Sequence, residues 1–287
     1  MKVFITGATG YIGAAVGEAV AAAEHEVLAL AHRTGAAEEI RGRGWTPVEG
    51  DLREPASLEA AAAGADAVIH TANTNDADAA QADGAAVAAF LHALEGSGRP
   101  FVYTSGVWVL GDTGGRTADE TASTEGALPM VAWRAGRERE VLAAGERGVR
   151  PVVVRPGIVY GRGGGIPAML VAGELPLIGD GSQHWTTVHV DDLADLYVRA
   201  LDAPAGTLLH GISGETTMAE VAAAAEAGRG EPVERLGRAE ARERLGGFAD
   251  ALALDQRASS DRTRRLTGWQ PRGPSLPDDL RTGSYRR

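Results

Sequence analysis

The run Thr6-Gly7-Ala8-Thr9-Gly10-Tyr11-Ile12-Gly13 constrains the fold of this chain more than any other stretch. It follows an apolar run, Val3-Phe4-Ile5, and precedes an alanine-rich segment from Ala14 to Ala23. A strand, a tight glycine turn and a helix N-terminus, in that order, make a pyrophosphate-binding device. Gly7 permits the sharp turn, Gly10 lets the backbone approach the phosphates, and Gly13 lets the helix pack close to the strand. The free N–H groups and the positive dipole end of the helix then face the anion. Three glycines alone would be an ordinary βα turn; the strand before and the helix after give them chemical meaning.

The rest of the first half keeps the same rhythm. Short apolar runs at 2–5, 26–31, 46–49, 67–71, 101–105 and 151–155 read as strands, and 11–23, 57–63, 81–95 and 131–147 as helices. The strands are rich in Val, Ile and Leu, as strands buried on both faces are. Alternation of this kind predicts an α/β fold, a Rossmann-type doubly wound parallel sheet. After position 155 the rhythm breaks. Residues 156–181 are rich in glycine and proline and predict a loop with a short helix at 167–172. A helix at 191–201, a strand at 208–212 and helices at 217–227 and 239–245 follow. The expected organisation is a dinucleotide-binding domain at 1–160 and a mixed segment at 161–287. That segment completes the sheet (about 186–213) and forms a small substrate cap.

Composition narrows the partners. A net charge of −11 argues against an electrostatic nucleic-acid binder. Cysteine is absent, which removes disulfides, thiolate metal sites and cysteine nucleophiles together and suits a reducing cytoplasm. The histidines are scattered, so no metal site is expected. No apolar stretch is long enough to span a bilayer, and the chain begins on its first strand, which leaves no room for a signal peptide. The expectation is a cytoplasmic protein with a small-molecule substrate and neither nucleic-acid nor membrane partners. Val87, Phe90, Leu91 and Leu94 form an apolar helix stripe that serves either a homodimer or the chain's own sheet.

Several further segments carry a likeness. Gly50-Asp51-Leu52, Val68-Ile69-His70-Thr71-Ala72, Tyr103-Thr104-Ser105-Gly106 and Arg155-Pro156-Gly157-Ile158-Val159-Tyr160-Gly161 stand in order after the glycine loop. Val188-His189-Val190-Asp191-Asp192-Leu193-Ala194 and Leu266-Thr267-Gly268-Trp269-Gln270-Pro271 follow. Together they resemble the extended and atypical short-chain dehydrogenase/reductases, the group containing nucleotide-sugar epimerases and dehydratases. The resemblance implies cofactor contacts at Gly7, Thr9, Gly10, Tyr11, Ile12 and Gly13. It implies more at Asp51 and Leu52 beside the adenine, at Thr71, Ala72, Asn73 and Thr104, and at Pro156, Gly157, Ile158 and Val159 on the nicotinamide side.

One part departs from that pattern. The family's catalytic tyrosine and the lysine four residues later belong in the helix after strand five. Here the region reads Pro129-Met130-Val131-Ala132-Trp133-Arg134-Ala135-Gly136-Arg137-Glu138. One register puts Ala132 and Gly136 at the two positions, the next Trp133 and Arg137. Lys2 is the only lysine in the chain. The family serine falls on Gly106, with Ser105 and Thr104 beside it. A positioned acid or base typically contributes ~10²–10⁴-fold in rate, so the substitution changes the mechanism. Trp cannot give up its N–H proton near neutrality and Arg stays charged.

The cofactor choice turns on the end of strand two, Ala31-His32-Arg33. NAD-selective members place an acid there for the ribose 2′-OH. An arginine favours a 2′-phosphate, so NADP(H) is expected over NAD(H), with Arg33 the chief contact and His32 a lesser one. Candidate catalytic groups are Ser105 at a strand end, Tyr160 as a spare phenol, His184 as a general acid near neutral pH, and Trp133 and Arg137 at the helix positions. The leading reading is an NADP(H)-dependent oxidoreductase acting on a small carbonyl, imine or conjugated alkene. The rivals are a non-redox cyclase, isomerase or lyase on the same scaffold, and a non-catalytic NADP(H) sensor.

Overall fold

The computed structural model describes residues 1–286 and divides into two compact units. The first comprises Met1–Ser105, Gly136–Val154 and Ala194–Leu209; the second comprises Gly106–Ala135, Arg155–Leu193 and the chain from His210 onward. Each draws on residues from both sides of position 160.

Seven strands form the main sheet: β1 (Lys2–Thr6), β2 (Glu26–Ala31), β3 (Thr46–Glu49), β4 (Ala67–His70), β5 (Pro100–Thr104), β7 (Arg150–Pro156) and β11 (Thr207–Gly211). Their spatial order is β11-β7-β5-β4-β1-β2-β3. The sheet thus reverses direction of winding between β1 and β4, at the switch point where open α/β sheets place ligands. Register is set by apolar residues on both faces. Val3 pairs with Ala67, Phe4 with Val68 and Ile5 with Ile69, all fully buried. The shallow smaller sheets are β8 (Ile158–Tyr160), β10 (His184–His189) and β12 (Gly214–Thr217), then β9 (Leu177–Ile178) with β13 (Arg235–Leu236), and β6 (Thr117–Ala118) with β14 (Arg257–Ala258).

Helices α1 (Tyr11–Ala22), α2 (Ala36–Gly42), α3 (Pro55–Ala63), α4 (Ala79–Leu94) and α5 (Ala132–Ala143) follow the early strands. Later come α6 (Gly165–Ala172), α7 (Val190–Ala200) and α8 (Met218–Arg229). α8 opens on a capping box, with Thr217 Oγ accepting from Glu220 N–H and the Glu220 carboxylate accepting from Thr217 N–H. The apolar stripe of α4 is spent inside the first unit. Val87, Phe90, Leu91 and Leu94 are at most 1 % exposed and pack with Phe4, Phe101 and Tyr103. That stripe is therefore the sheet-facing side of α4, not an open dimer face.

One sequence expectation needs correction, and one element carries no clear sequence signal. α2 was not anticipated, because its seven residues offer a single large buried apolar side chain, Ile40, too few for a helical period. The segment expected to complete the sheet, about 186–213, does so only through β11. Residues 184–189 form β10, parallel to β8 and antiparallel to β12. The cause is local: Gly157 breaks the chain between β7 and β8, and a Cβ there would sit 2.7 Å from the Thr186 carbonyl oxygen. Only glycine lets those backbones approach so closely. Among the described residues, no helix is long and apolar enough to cross a membrane.

Candidate functional site

β1 delivers the chain to Gly7, whose φ of +76° lies in the left-handed region that glycine tolerates best. A Cβ on Gly7 would lie 2.8 Å from Thr71 Oγ and 2.9 Å from Ala72 N. One on Gly13 would overlap the Gly7 carbonyl oxygen and come within 2.7 Å of Thr71 Oγ. Gly10 N–H closes the turn onto the Gly7 carbonyl at 2.8 Å. Gly10 also occupies the N-cap of α1, where it offers no side-chain cap, and the first turn holds no acid. First-turn N–H groups have no partner within the helix itself, and the dipole end of α1 favours an anion.

These residues open onto a cavity of about 530 Å³. Its walls bring together Gly7, Thr9, Gly10, Tyr11, Ile12 and Gly13 of the loop, His32 and Arg33 after β2, Asp51 and Leu52 after β3, and Thr71, Ala72 and Asn73 after β4. Sequence reasoning missed Leu30, Arg53, Thr74 and Asn75 in the same wall. The Asn73-Thr74-Asn75-Asp76 run carried a turn signal: Asn73 Oδ1 accepts from Asn75 N–H at 2.8 Å, and Asn75 has φ +55°.

The cations in this wall are paired but available. Arg33 Nη2 meets Glu39 Oε2 at 2.6 Å, and Arg53 Nη2 meets Asp76 Oδ2 at 2.5 Å. Both pairs are well exposed, and exposed pairs are worth ~0–1 kcal/mol, less than a charge-assisted bond to phosphate. The Thr74 hydroxyl, the Asp78 backbone and Arg53 hold the Asp76 carboxyl below its ordinary pKa. The donor set fits a dinucleotide: backbone N–H groups and glycine cradles for a diphosphate, the Arg33 guanidinium after β2, and the Asp51 carboxylate after β3.

The other expected residues lie elsewhere. Thr104 Oγ is 2.6 Å from the Tyr197 hydroxyl, a phenol the sequence did not single out. Ser105 is buried at the end of β5; its N–H donates to the Val154 carbonyl at 2.8 Å, and its Oγ has no partner among the described residues. Arg137 does not stand free at the lysine position. Its Nε bonds Asp83 Oδ2 at 3.1 Å, and its guanidinium also pairs with Glu140. Trp133 stacks with the guanidinium of its neighbour Arg134, 4.4 Å from ring centre. Pro156, Gly157, Ile158 and Val159 run from the end of β7 into β8, where Gly157 N–H donates to the Gly211 carbonyl at 2.9 Å.

Two catalytic expectations are corrected. Tyr160 is not a spare phenol: its hydroxyl donates to the Pro274 carbonyl at 2.5 Å, and its ring meets His189 edge-on. Burial, with Asp192, Asp279 and Asp278 nearby, pushes its pKa up to about 12 against a partly offsetting bond with Ser213. It therefore stays protonated and committed through the working range. Tyr160→Phe should leave the pH profile of turnover unchanged from pH 6 to pH 10 and cost about 1 kcal/mol of stability. A lost alkaline limb in that profile would restore Tyr160 as the donor. His184 opens β10 and is not free to act as a general acid. Its Nδ1 lies 2.8 Å from Asp255 Oδ1 and its Nε2 2.6 Å from Arg257 Nη2. Both ring nitrogens are engaged, so the ring is not presented as an open acid. The same contacts, His184 N–H above all, hold the Asp255 carboxyl below its ordinary pKa despite partial burial, which works in the other direction.

The comparisons with known proteins bear on the family and the fold. The family model described as NAD dependent epimerase/dehydratase family matches residues 3–210. An uncharacterized protein of Schizosaccharomyces pombe is 32 % identical across 99 % of this chain and 100 % of its own length. A 3-diazoavenalumate denitrifying reductase from a Streptomyces species is 30 % identical across 98 % of this chain and 99 % of its own. A crystal structure of a dTDP-glucose 4,6-dehydratase from Streptomyces venezuelae with NAD bound superposes with a TM-score of 0.82. That match covers 99 % of this chain and 96 % of the other at 20 % identity, and it speaks for the fold.

Proposed function

Since the chain belongs to the NAD-dependent epimerase/dehydratase family, we propose that it is an NADP(H)-dependent reductase of a small carbonyl, imine or conjugated alkene. The observation that carries this is the cavity at the switch point, with its glycine cradle, its two arginines and no acid at the end of β2. The reductase of similar length, 30 % identical end to end, supports the redox side.

Each part of the chain has a role in this reading. The glycine loop and the start of α1 bind the diphosphate bridge. Arg33 turns from Glu39 to the 2′-phosphate, with His32 beside it. Asp51 and Leu52 hold the adenosine end. The bound nicotinamide, when reduced, supplies the hydride. Ser105 Oγ, buried and without a partner among the described residues, is the group of this chain best suited to hold a substrate oxygen or nitrogen by hydrogen bond. With Tyr160 and His184 committed, the proton reaches that atom from water through the Ser105 hydroxyl. Loss of a dedicated phenol confines the chemistry to acceptors that are already polarised. It also argues against sugar epimerisation, which depends on a tyrosine base.

The test is direct. Incubation with NADPH and a panel of ketones, imines and enones, followed at the nicotinamide absorbance, should show consumption with at least one class. Saturable binding without consumption would shift the reading to a cofactor sensor or a non-redox enzyme. Arg33→Asp should weaken NADPH by about tenfold or more relative to NADH, the worth of a charge-assisted phosphate contact. An unchanged ratio of the two dissociation constants would refute the assignment of Arg33.

A further inference from the structure

Beneath the glycine loop runs a buried polar thread with the spacing of an acid, an imidazole and a hydroxyl. Thr6 Oγ lies 2.6 Å from His70 Nδ1, and His70 Nε2 lies 3.4 Å from Asp83 Oδ1. Asp83 is held in turn by Arg137 Nε at 3.1 Å and by the Tyr103 hydroxyl at 3.2 Å. On an open surface such a set would activate the hydroxyl as a nucleophile. Here Thr6 is 0 % exposed and His70 1 %, so no substrate reaches either. The thread has another use.

Its proton positions follow from electrostatics. His70 Nε2 is buried, has no hydrogen-bond partner among the described residues and faces the Asp83 carboxylate. A lone pair there would be repelled; an N–H is attracted. In a neutral ring carrying its proton on Nε2, Nδ1 is the acceptor and the Thr6 hydroxyl donates to it. That leaves a Thr6 Oγ lone pair for the Ala72 N–H at 3.4 Å. The Thr6 carbonyl meanwhile takes the Thr71 hydroxyl at 2.7 Å and the Thr71 N–H at 3.3 Å. Thr71 and Ala72 are the wall against which Gly7 is seated, and Thr71 Oγ also backs Gly13. The rings of Phe90, edge-on, and Tyr103, stacked, fix the imidazole plane.

We propose that Asp83 is a positioning residue for the dinucleotide loop. Its charge sets the tautomer of His70, the tautomer sets the direction of the Thr6 hydroxyl, and that hydroxyl holds the 71–72 wall against the glycine turn. Arg137 serves the loop from below by anchoring Asp83, although it stands where the family resemblance sets a lysine in one register. The proposal rests on the dinucleotide reading for its effect on binding, but not for the tautomer itself.

Two measurements test it. In ¹⁵N-histidine spectra of the wild-type protein, His70 should be the Nε2–H tautomer; an Nδ1–H tautomer overturns the proposal with or without a cofactor. By titration calorimetry, Thr6→Val should raise the NADPH dissociation constant about tenfold, the loss of one buried hydrogen bond. Thr6→Ser, which keeps the hydroxyl, should stay within about twofold of wild type. A Thr6→Val protein that binds NADPH as the wild type does overturns the proposal. Should that variant not fold, Asp83→Asn takes its place: mixed His70 tautomers and weaker NADPH are expected, and an Asp83→Asn protein that shows neither change overturns the proposal. If wild type itself ignores NADPH, the functional reading fails while the tautomer still decides the thread.

Discussion

Gly13→Ala is expected to weaken NADPH binding by about two orders of magnitude and to lower thermal stability as well. The added methyl would overlap the Gly7 carbonyl oxygen and lie 2.6 Å from its carbon and 2.7 Å from Thr71 Oγ. Two of those atoms are backbone, and the third already donates to the Thr6 carbonyl. None swings away freely, so the turn must open, and the Gly10 N–H bond to the Gly7 carbonyl opens with it. Overpacking of this kind costs ~1–3 kcal/mol, and loss of the preformed N–H cradle adds to it in the bound state. Gly10→Ala is the informative contrast. Its methyl would lie 3.2 Å from the Gly7 carbonyl oxygen and touch nothing else so closely. It should spare the melting temperature and still weaken NADPH, because only the ligand's approach is blocked. Calorimetric titration and a thermal melt of both variants separate the effects. A Gly13→Ala protein that titrates like wild type would remove the physical basis for a diphosphate at this loop.

The parts of the fold that were legible in sequence are those written in local pattern. The glycine loop carries its strand before and its helix after within a short span. β2 coincides with the expected range because it is a short apolar run bounded by turns; β3 coincides too, although Thr46-Pro47-Val48-Glu49 is only half apolar. The cavity wall was legible for the same reason: each contributing segment sits just past a strand end, and a parallel sheet puts all those ends on one edge. Arg53, Thr74 and Asn75 lie one or two residues beyond those segments and carry no motif of their own.

What the sequence withheld was pairing at long range. His184 meets Asp255 across 71 positions, so a histidine that looks isolated in sequence is bonded on both nitrogens. Tyr160 finds the Pro274 carbonyl across 114 positions. Arg137 looked like a stand-in for the missing lysine because it falls near the right register. Its orientation is decided by Asp83 on α4 and by the space above Gly84, where a Cβ would collide with the guanidinium. No spacing rule within one helix reports that. The Thr104–Tyr197 pair is of the same kind, a phenol brought to the end of β5 by a helix far along the chain.

The C-terminal signature offers the second large effect, on stability. Trp269→Ala is expected to destabilise the second unit by about 4 kcal/mol and to lower its melting temperature by roughly 10 °C. Gly268, at φ +67°, ends the helix Asp261–Thr267 in the left-handed conformation and turns the chain inward. Trp269 follows at 1 % exposure, its indole N–H donating to the Asp192 carbonyl at 2.8 Å and its ring facing the Arg264 guanidinium. The Asp192 carboxylate then receives the N–H groups of Arg272 and Gly273 at 2.7 and 2.9 Å. One tryptophan thus docks the segment that supplies the carbonyl for Tyr160, and its removal leaves both a cavity and a buried carbonyl without its donor. Trp269→Phe keeps most of the volume and loses the indole bond, so about 1 kcal/mol is expected. Because the glycine loop belongs to the other unit, NADPH affinity measured below the melt should stay within about twofold in both variants. A melt of Trp269→Ala within 2 °C of wild type would mean that the signature does not hold this segment in place.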